Sequence, residues 1–473
     1  MKYNVLMLAG LLFIFKAEAQ NNTNKKEKGF HLELDIPSQK NQMIYLGYYW
    51  KDAAYVRDSA RLSDEGKTGL DLPEELRPGQ YFLFINPGFR IDLLLDKGEN
   101  DVHLYINEED FAKSVATGSN NTKLLWTYLL DIQNRDMERS QLEKQLEDST
   151  VSPQKRKALD TELEKLDESV QTYIQKTIKD NKDAWFGVFL KGLEPVALPY
   201  KQPKDEKEFL ANREYDKRHF FDNMDLADPR LWFTNYLDSY INAYMQHRVD
   251  QTPDSLANAA SRLVAKTKGN EFCFKEMLSK LINESFNSIR TDDENIWARL
   301  AEDYIFDKDA TWIDSARYSE LRKQYGLIKN NRIGMKARNL SLQTLDGKTV
   351  NTNDIDARCL LLYFYDSACR HCQTAVPDLH DKVYAKYKDK GLEVVAINLS
   401  NNREEWDSFV KNKKITGWIN CADLEYKSRY WIYYDTANIP SAFVLDRDKK
   451  IVAKIADGQN PEKFFDFFKL FAF

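Results

Sequence analysis

The sequence predicts a multidomain chain with an N-terminal β-sandwich, a central α-helical region and a C-terminal α/β domain. Three observations carry this expectation. Short apolar runs separated by turn residues fill the stretch up to about Lys113. Dense charges with apolar residues at helical spacing occupy 118–330. After residue 333, strand-like and helix-like segments alternate to the end.

The size of the chain agrees. At 473 residues, 42% hydrophobic and 30% charged, it has room for about two to four domains and a globular composition. A net charge of −6, with no Lys/Arg stripe, argues against a nucleic-acid partner. The first residues, "MKYNVLMLAGLLFIFKAEAQ", join Lys2, an apolar run from Val5 to Phe15 and the small-x-small triplet Ala17-Glu18-Ala19. That pattern predicts a secretory signal peptide over 1–19, with a run too short for a stable membrane span. Lys16 ends the run early, which argues against an anchor helix, and no Cys stands near the cleavage point to carry a lipid. No other segment approaches 18 consecutive apolar residues, so the mature chain is expected to be exported and soluble, without a membrane span.

The β-sandwich is expected over 28–117, from "FHLELDI", "QMIYLGYYW", "YFLFI" and "RIDLLLD". Turn signals at Asp64-Glu65-Gly66-Lys67, Pro78-Gly79 and Asn86-Pro87-Gly88 separate them. The polar break Gly118-Ser119-Asn120-Asn121 opens the helical region, 118–330. Two long antiparallel helices are expected between Leu124 and Lys182, divided by "STVSP". The charge runs there read as solvated helix faces, and no catalytic cluster is evident. The α/β domain, 333–473, begins with the strand "CLLLYFY" and a helix from Cys372 to about Lys390. The strand "LEVVAINL", the helix "REEWDSFVKN" and the strands "AFVLDRD" and "KIVAKIA" follow, with a last helix from Pro461 to Leu470. The short "DRDKK" turn makes the final two strands antiparallel, so the sheet is mixed.

Five cysteines are present: Cys273, Cys359, Cys369, Cys372 and Cys421. Only Cys369 and Cys372 are close in sequence, in "YDSACRHCQTAVP". Such a pair is a redox dithiol, half of a metal site, or two thiols adjacent by chance. Zinc requires further ligands at suitable spacing, whereas the other cysteines are isolated and the six histidines scattered. Cys273 and Cys359 read as buried small hydrophobes, while Cys421, in "GWINCADL", has no evident role. A dithiol suits the junction of strand and helix, where unpaired N–H groups and the helix dipole stabilise a thiolate. The spacing lets the shielded Cys372 resolve a mixed disulfide formed on the exposed Cys369.

With these residues in place, 333–473 resembles the thioredoxin-like domain of the periplasmic TlpA/ResA thiol-disulfide oxidoreductases. "IGMKARNLSLQTLDGKTVNTNDI" is similar to that family's entry hairpin, with Arg338 where a Pro is usual. Pro377 follows Cys372 by five residues, as in the family's kinked active-site helix, and "YKDKGLEVVAINLS" resembles the next helix–strand unit. Ile439-Pro440 stands at the place of the family's cis-proline, so Pro440 is expected to be cis and beside the dithiol. The N-terminal β region and the helical middle are similar to the accessory domains of exported multidomain proteins of Gram-negative bacteria.

The resemblance implies a periplasmic enzyme that needs no cofactor or metal. Its partners would be protein thiols and disulfides, together with an unidentified redox partner. Two departures stand out. Ala368 replaces the family's Trp before the first Cys, and Ala375 its acidic residue three after the second. Proton transfer at the buried thiol is therefore left to other groups or to water. Between the cysteines stand Arg370 and His371, cationic or hydrogen-bonding groups expected to favour the thiolate and make the disulfide more oxidising. The alternative is a thioredoxin-fold scaffold of the cell envelope with a vestigial dithiol. Intact Cys369, Cys372 and Pro440 argue against it, and the CxxC spacing argues against a peroxidase.

Overall fold

The computed structural model describes residues 29–148, 151–288, 293–308, 310–415, 417–455 and Phe468. The predicted signal peptide, and the last helix apart from Phe468, lie outside the described residues. The chain separates into two compact units. One holds the residues up to Arg248 with Lys266–Cys273, and the other holds Val249–Ala265 with the residues from Phe274 onward.

The first unit opens with eight strands: β1 (Phe30–Asp35), β2 (Met43–Trp50), β3 (Ala53–Arg61), β4 (Lys67–Leu72), β5 (Gly79–Asn86), β6 (Phe89–Leu95), β7 (Asp101–Tyr105) and β8 (Val115–Thr117). They form two four-stranded sheets, ordered β4-β1-β7-β8 and β3-β2-β5-β6, with β1 and β7 paired in parallel. Strand β1 shows why: Phe30, Leu32 and Leu34 are buried, while His31, Glu33 and Asp35 point outward. β3, β4, β7 and β8 match none of the four apolar runs. Three of them, β3, β4 and β8, are edge strands with little apolar surface to bury.

Gly118, at a φ of 78°, ends the sheet; a Cβ there would lie 1.7 Å from the Asp101 carbonyl oxygen. Ser119 then caps α1 (Asn120–Glu147), its hydroxyl accepting from the Thr122 N–H at 3.1 Å. α2 (Pro153–Asp180) returns antiparallel: the Tyr173 hydroxyl donates to Asp131 and Arg135 donates to Ser169. α3 (Trp185–Leu193), α4 (Glu206–His219) and α5 (Leu237–Ala243) complete this unit's main helices.

Further along the chain lie α6 (Pro253–Lys266), α7 (Glu271–Phe286), α8 (Glu294–Leu300) and α9 (Ser315–Ile328). The strands β9 (Ser341–Thr344), β10 (Thr349–Asn351), β11 (Cys359–Tyr365), β12 (Leu392–Asn398), β13 (Ile419–Ala422), β14 (Ser441–Leu445) and β15 (Ile451–Ile455) then form one mixed sheet. Its order is β10-β9-β13-β12-β11-β14-β15, with β11 parallel to β12 and antiparallel to β14. Alternate β11 residues feed two apolar layers. Leu361 and Tyr363 join Cys372, Val376 and Trp406 on one face, and Leu360, Leu362 and Phe364 join Phe443 and Tyr434 on the other.

The expected helix from Cys372 to Lys390 is not continuous. α10 (Cys372–Leu379) contains Pro377, which has no N–H to give to the preceding turn. A π turn at His380–Tyr384 follows, then a helical turn at Ala385–Tyr387 and a 3₁₀ turn at Lys388–Lys390. Arg338, at the family's Pro position, lays its guanidinium over the Tyr433 ring, and its carbonyl accepts from the Tyr434 hydroxyl at 2.6 Å.

One buried ion pair ties α8 to β15. Lys454 Nζ donates to both Glu294 carboxylate oxygens, at 2.7 and 3.0 Å, and to Asn331 at 2.8 Å. Glu294→Ala leaves a buried ammonium unpaired, so it is expected to destabilise this unit by about 3 kcal/mol. Urea denaturation of the full chain measures it. Glu294→Leu combined with Lys454→Met should recover most of the loss, because no buried charge then remains.

Candidate active site

The site begins with burial. All seven residues of β11 are buried, so a one-residue shift along the sheet would swap every side chain between two packed layers. It ends at Tyr365, four residues short of Cys369. The intervening loop is pinned at each step. The Tyr365 carbonyl accepts from the Leu399 N–H at 2.8 Å. Asp366 makes an Asx turn, its Oδ1 accepting from the Ala368 N–H at 2.8 Å and its carbonyl from the Cys369 N–H at 3.1 Å. The buried Asn398, at the end of β12, accepts from the Ser367 N–H at 3.0 Å and donates to the Ser400 carbonyl. Gln373 Nε2 donates to the Ser367 carbonyl at 2.6 Å, and the Gln373 N–H donates to the Cys369 carbonyl.

These bonds deliver two unlike thiols. Cys372 is the first residue of α10 and fully buried; Cys369 is half-buried at the edge of the same apolar layer. Burial pushes the Cys372 thiol up to about 12. A main-chain N–H of Asp366 directed at its sulfur opposes this, whereas the hydrogen bond and charge of Cys369 and the Asp366 carboxylate reinforce it. Cys273, Cys359 and Cys421 are also buried free thiols, each pushed up to about 12 chiefly by burial. Cys421 lies in β13, paired with β12.

Pro440 is buried and its peptide bond with Ile439 is cis. Ser441 pairs with Phe364, so Pro440 adjoins the end of β11 from which the loop departs, and Ile439 packs against the same layer as Cys369. Cys369, Cys372 and Pro440 thus share one end of the sheet. Arg370 and His371 face solvent, and the His371 side chain makes no capping bond to α10. Among the described residues, no three His, Cys, Asp or Glu side chains are placed to hold a metal ion. Sequence reasoning passed over Asp366 and Asn398. The available signals were an Asp directly after an apolar strand, and an Asn at the end of the next.

The family model for thioredoxin-like domains matches residues 356–451, which contain both thiols and Pro440. The thiol-disulfide oxidoreductase ResA of Bacillus cereus is 26% identical over 132 residues, which span 28% of this chain and 74% of that protein. The thiol-disulfide oxidoreductase ResA of Oceanobacillus iheyensis is 30% identical over 146 residues, spanning 27% of this chain and 76% of its own. The chain belongs to the thioredoxin-like thiol-disulfide oxidoreductases. Among solved structures, a domain of a possible thiol-disulfide isomerase from Cytophaga hutchinsonii is 36% identical, covering 30% of this chain and 92% of that one, with a TM-score of 0.28. The family-model match lies in the α/β domain of this oxidoreductase.

Exposure and burial together predict the reactivity of its thiols. At neutral pH, iodoacetamide should label Cys369 in the reduced, folded oxidoreductase and leave the other four cysteines unmodified, as read by peptide mass spectrometry. Labelling of Cys421 or Cys273 at a similar rate would contradict this.

Proposed function

We propose that this chain is a periplasmic enzyme that exchanges disulfides with protein partners through Cys369 and Cys372. The observation that carries this reading is the pairing of a half-exposed thiol with a fully buried one at the start of α10. The Cys369 thiolate attacks a client disulfide and expels one client thiolate. Cys372 then attacks Cys369, releases the second client thiol and closes the Cys369–Cys372 disulfide. An unidentified redox partner returns the pair to its starting state, and the reverse sequence oxidises a client. The exported location rests on the signal-peptide pattern of residues 1–19. Among the described residues no helix is long and apolar enough to cross a membrane. Pro440 borders the surface where a client strand would lie.

Two experiments test this reading. Cys372→Ser removes the resolving attack, so affinity capture from periplasm should yield Cys369–client adducts that dithiothreitol releases. A folded variant without adducts would instead favour a non-catalytic scaffold. Arg370 and His371 are proposed to favour the thiolate and hence an oxidising disulfide. His371→Pro should make the disulfide a weaker oxidant by about 30 mV or more in glutathione equilibration. An unchanged potential would leave His371 as a surface residue only.

A further inference from the structure

The outer face of the sheet β4-β1-β7-β8 concentrates ionisable groups far from the cysteines in sequence. On β1, His31, Glu33 and Asp35 point away from the core. Asp71, Gly69 and Lys67 of β4 stand opposite them on one side, and Asp101, His103 and Tyr105 of β7 on the other. Alternation along the strands puts all of these on one face. His31, Glu33, Asp35, Lys67, His103 and Tyr105 line a cleft of about 540 Å³ there. We propose that His31 and His103, with Asp71, Glu33 and Asp101, form a proton-operated clasp. Protonated, the two imidazoles bind β4 and β7 to β1; deprotonated, they let these strands loosen.

The distances define the clasp. His31 Nδ1 lies 2.7 Å from Asp71 Oδ1 on β4, and its Nε2 faces Glu33 Oε1 at 3.7 Å. His103 Nδ1 lies 2.6 Å from Glu33 Oε2, and its Nε2 lies 3.2 Å from Asp101 Oδ1. Carboxylates and imidazoles therefore alternate in one row, Asp71–His31–Glu33–His103–Asp101, that crosses three strands. Gly69 stands opposite Glu33 and has no side chain to compete for it. All four ring nitrogens face a carboxylate. A neutral imidazole carries one N–H and serves only one of its two carboxylates, whereas an imidazolium serves both. Of the other ionisable groups lining the cleft, Lys67 and Asp35 pair with each other at 3.4 Å, and Tyr105 is the third; β8 contributes only the uncharged Val115 and Thr117. The His31 and His103 side chains are 36% and 44% exposed, so solvent protons reach both rings.

Charge decides which form each pH favours. With both rings protonated, cations separate the three carboxylates; with both neutral, like charges share one face of neighbouring strands without a counter-charge in the row. The Asp71 hydrogen bond raises the His31 pKa above its ordinary 6.5 against the effect of burial, and Glu33 and Asp101 add to it. The hydrogen bond and charge of His103 hold Glu33 below its ordinary 4.5, also against burial, with His31 adding to the effect. The His31 contribution to stability is complete below about pH 6.5 and is lost as pH rises through the folded value. The Glu33 contribution is complete above about pH 4.5 and is lost as pH falls through its folded value. The clasp is therefore tightest at about pH 5.5 and releases on either side.

Amide hydrogen exchange of the full chain, read by mass spectrometry and corrected for the intrinsic pH dependence of exchange, tests the clasp. Peptides covering β1, β4 and β7 should lose protection about threefold or more between about pH 5.5 and about pH 8, the scale of one or two exposed ion pairs. Peptides of β5, in the other sheet, should change less. His31→Gln combined with His103→Gln keeps a donor at each position but cannot titrate, so protection should be equal at the two pH values. Glu33→Gln removes the anion that both rings share, so the loss of protection should move to lower pH. Equal protection of the parent at both pH values, an equal change in β5, or a pH response that survives in the double variant would overturn the proposal. Should the double variant fail to fold, Glu33→Gln decides alone, and a transition that stays at the parent's pH overturns it.

Discussion

The fully buried strand β11 is the constraint on which the α/β domain depends. It lies between parallel β12 and antiparallel β14 and supplies side chains to the apolar layers on both faces. A strand held in this way cannot slip by one residue, because every side chain would change faces. Its end at Tyr365 therefore fixes where residues 366–371 start, and the parallel end of β12 supplies Asn398 to hold them.

From that anchor the asymmetry of the dithiol follows. Two residues separate the cysteines, yet one is the first residue of a helix packed against the core and the other lies in a turn at its margin. Burial alone gives the thiols different tasks, since desolvation holds a proton on Cys372 while Cys369 meets partners. The cost is a proton that must leave a dry layer.

Much of this organisation can be read from the sequence, for identifiable reasons. "CLLLYFY" reads as a strand because a chain buried on both faces needs apolar residues at every position. The helical middle is legible from its charge spacing, and the CxxC from its position after that strand. Other elements are not legible. β13 is four residues long and contains Asn420; pairing with β12 and β9, rather than its own composition, makes it a strand. Likewise β3 and β4 carry too few apolar residues to stand out, because edge strands need few. The break in the helix after Cys372 follows from Pro377, but no residue type marks the π turn at His380–Tyr384 in advance. Asn398 stays hidden because its role arises from a contact across the sheet, with Ser367 from 31 residues away.

The most direct test of the account is an equilibrium titration of the full chain in glutathione buffers, with the state of each cysteine read by differential alkylation. A redox pair predicts one two-electron transition in which Cys369 and Cys372 convert together, at a potential between about −270 and −120 mV, while the other three cysteines stay reduced. Persistence of both thiols across that range, or a glutathione adduct on Cys369 that never resolves into a disulfide with Cys372, would contradict it.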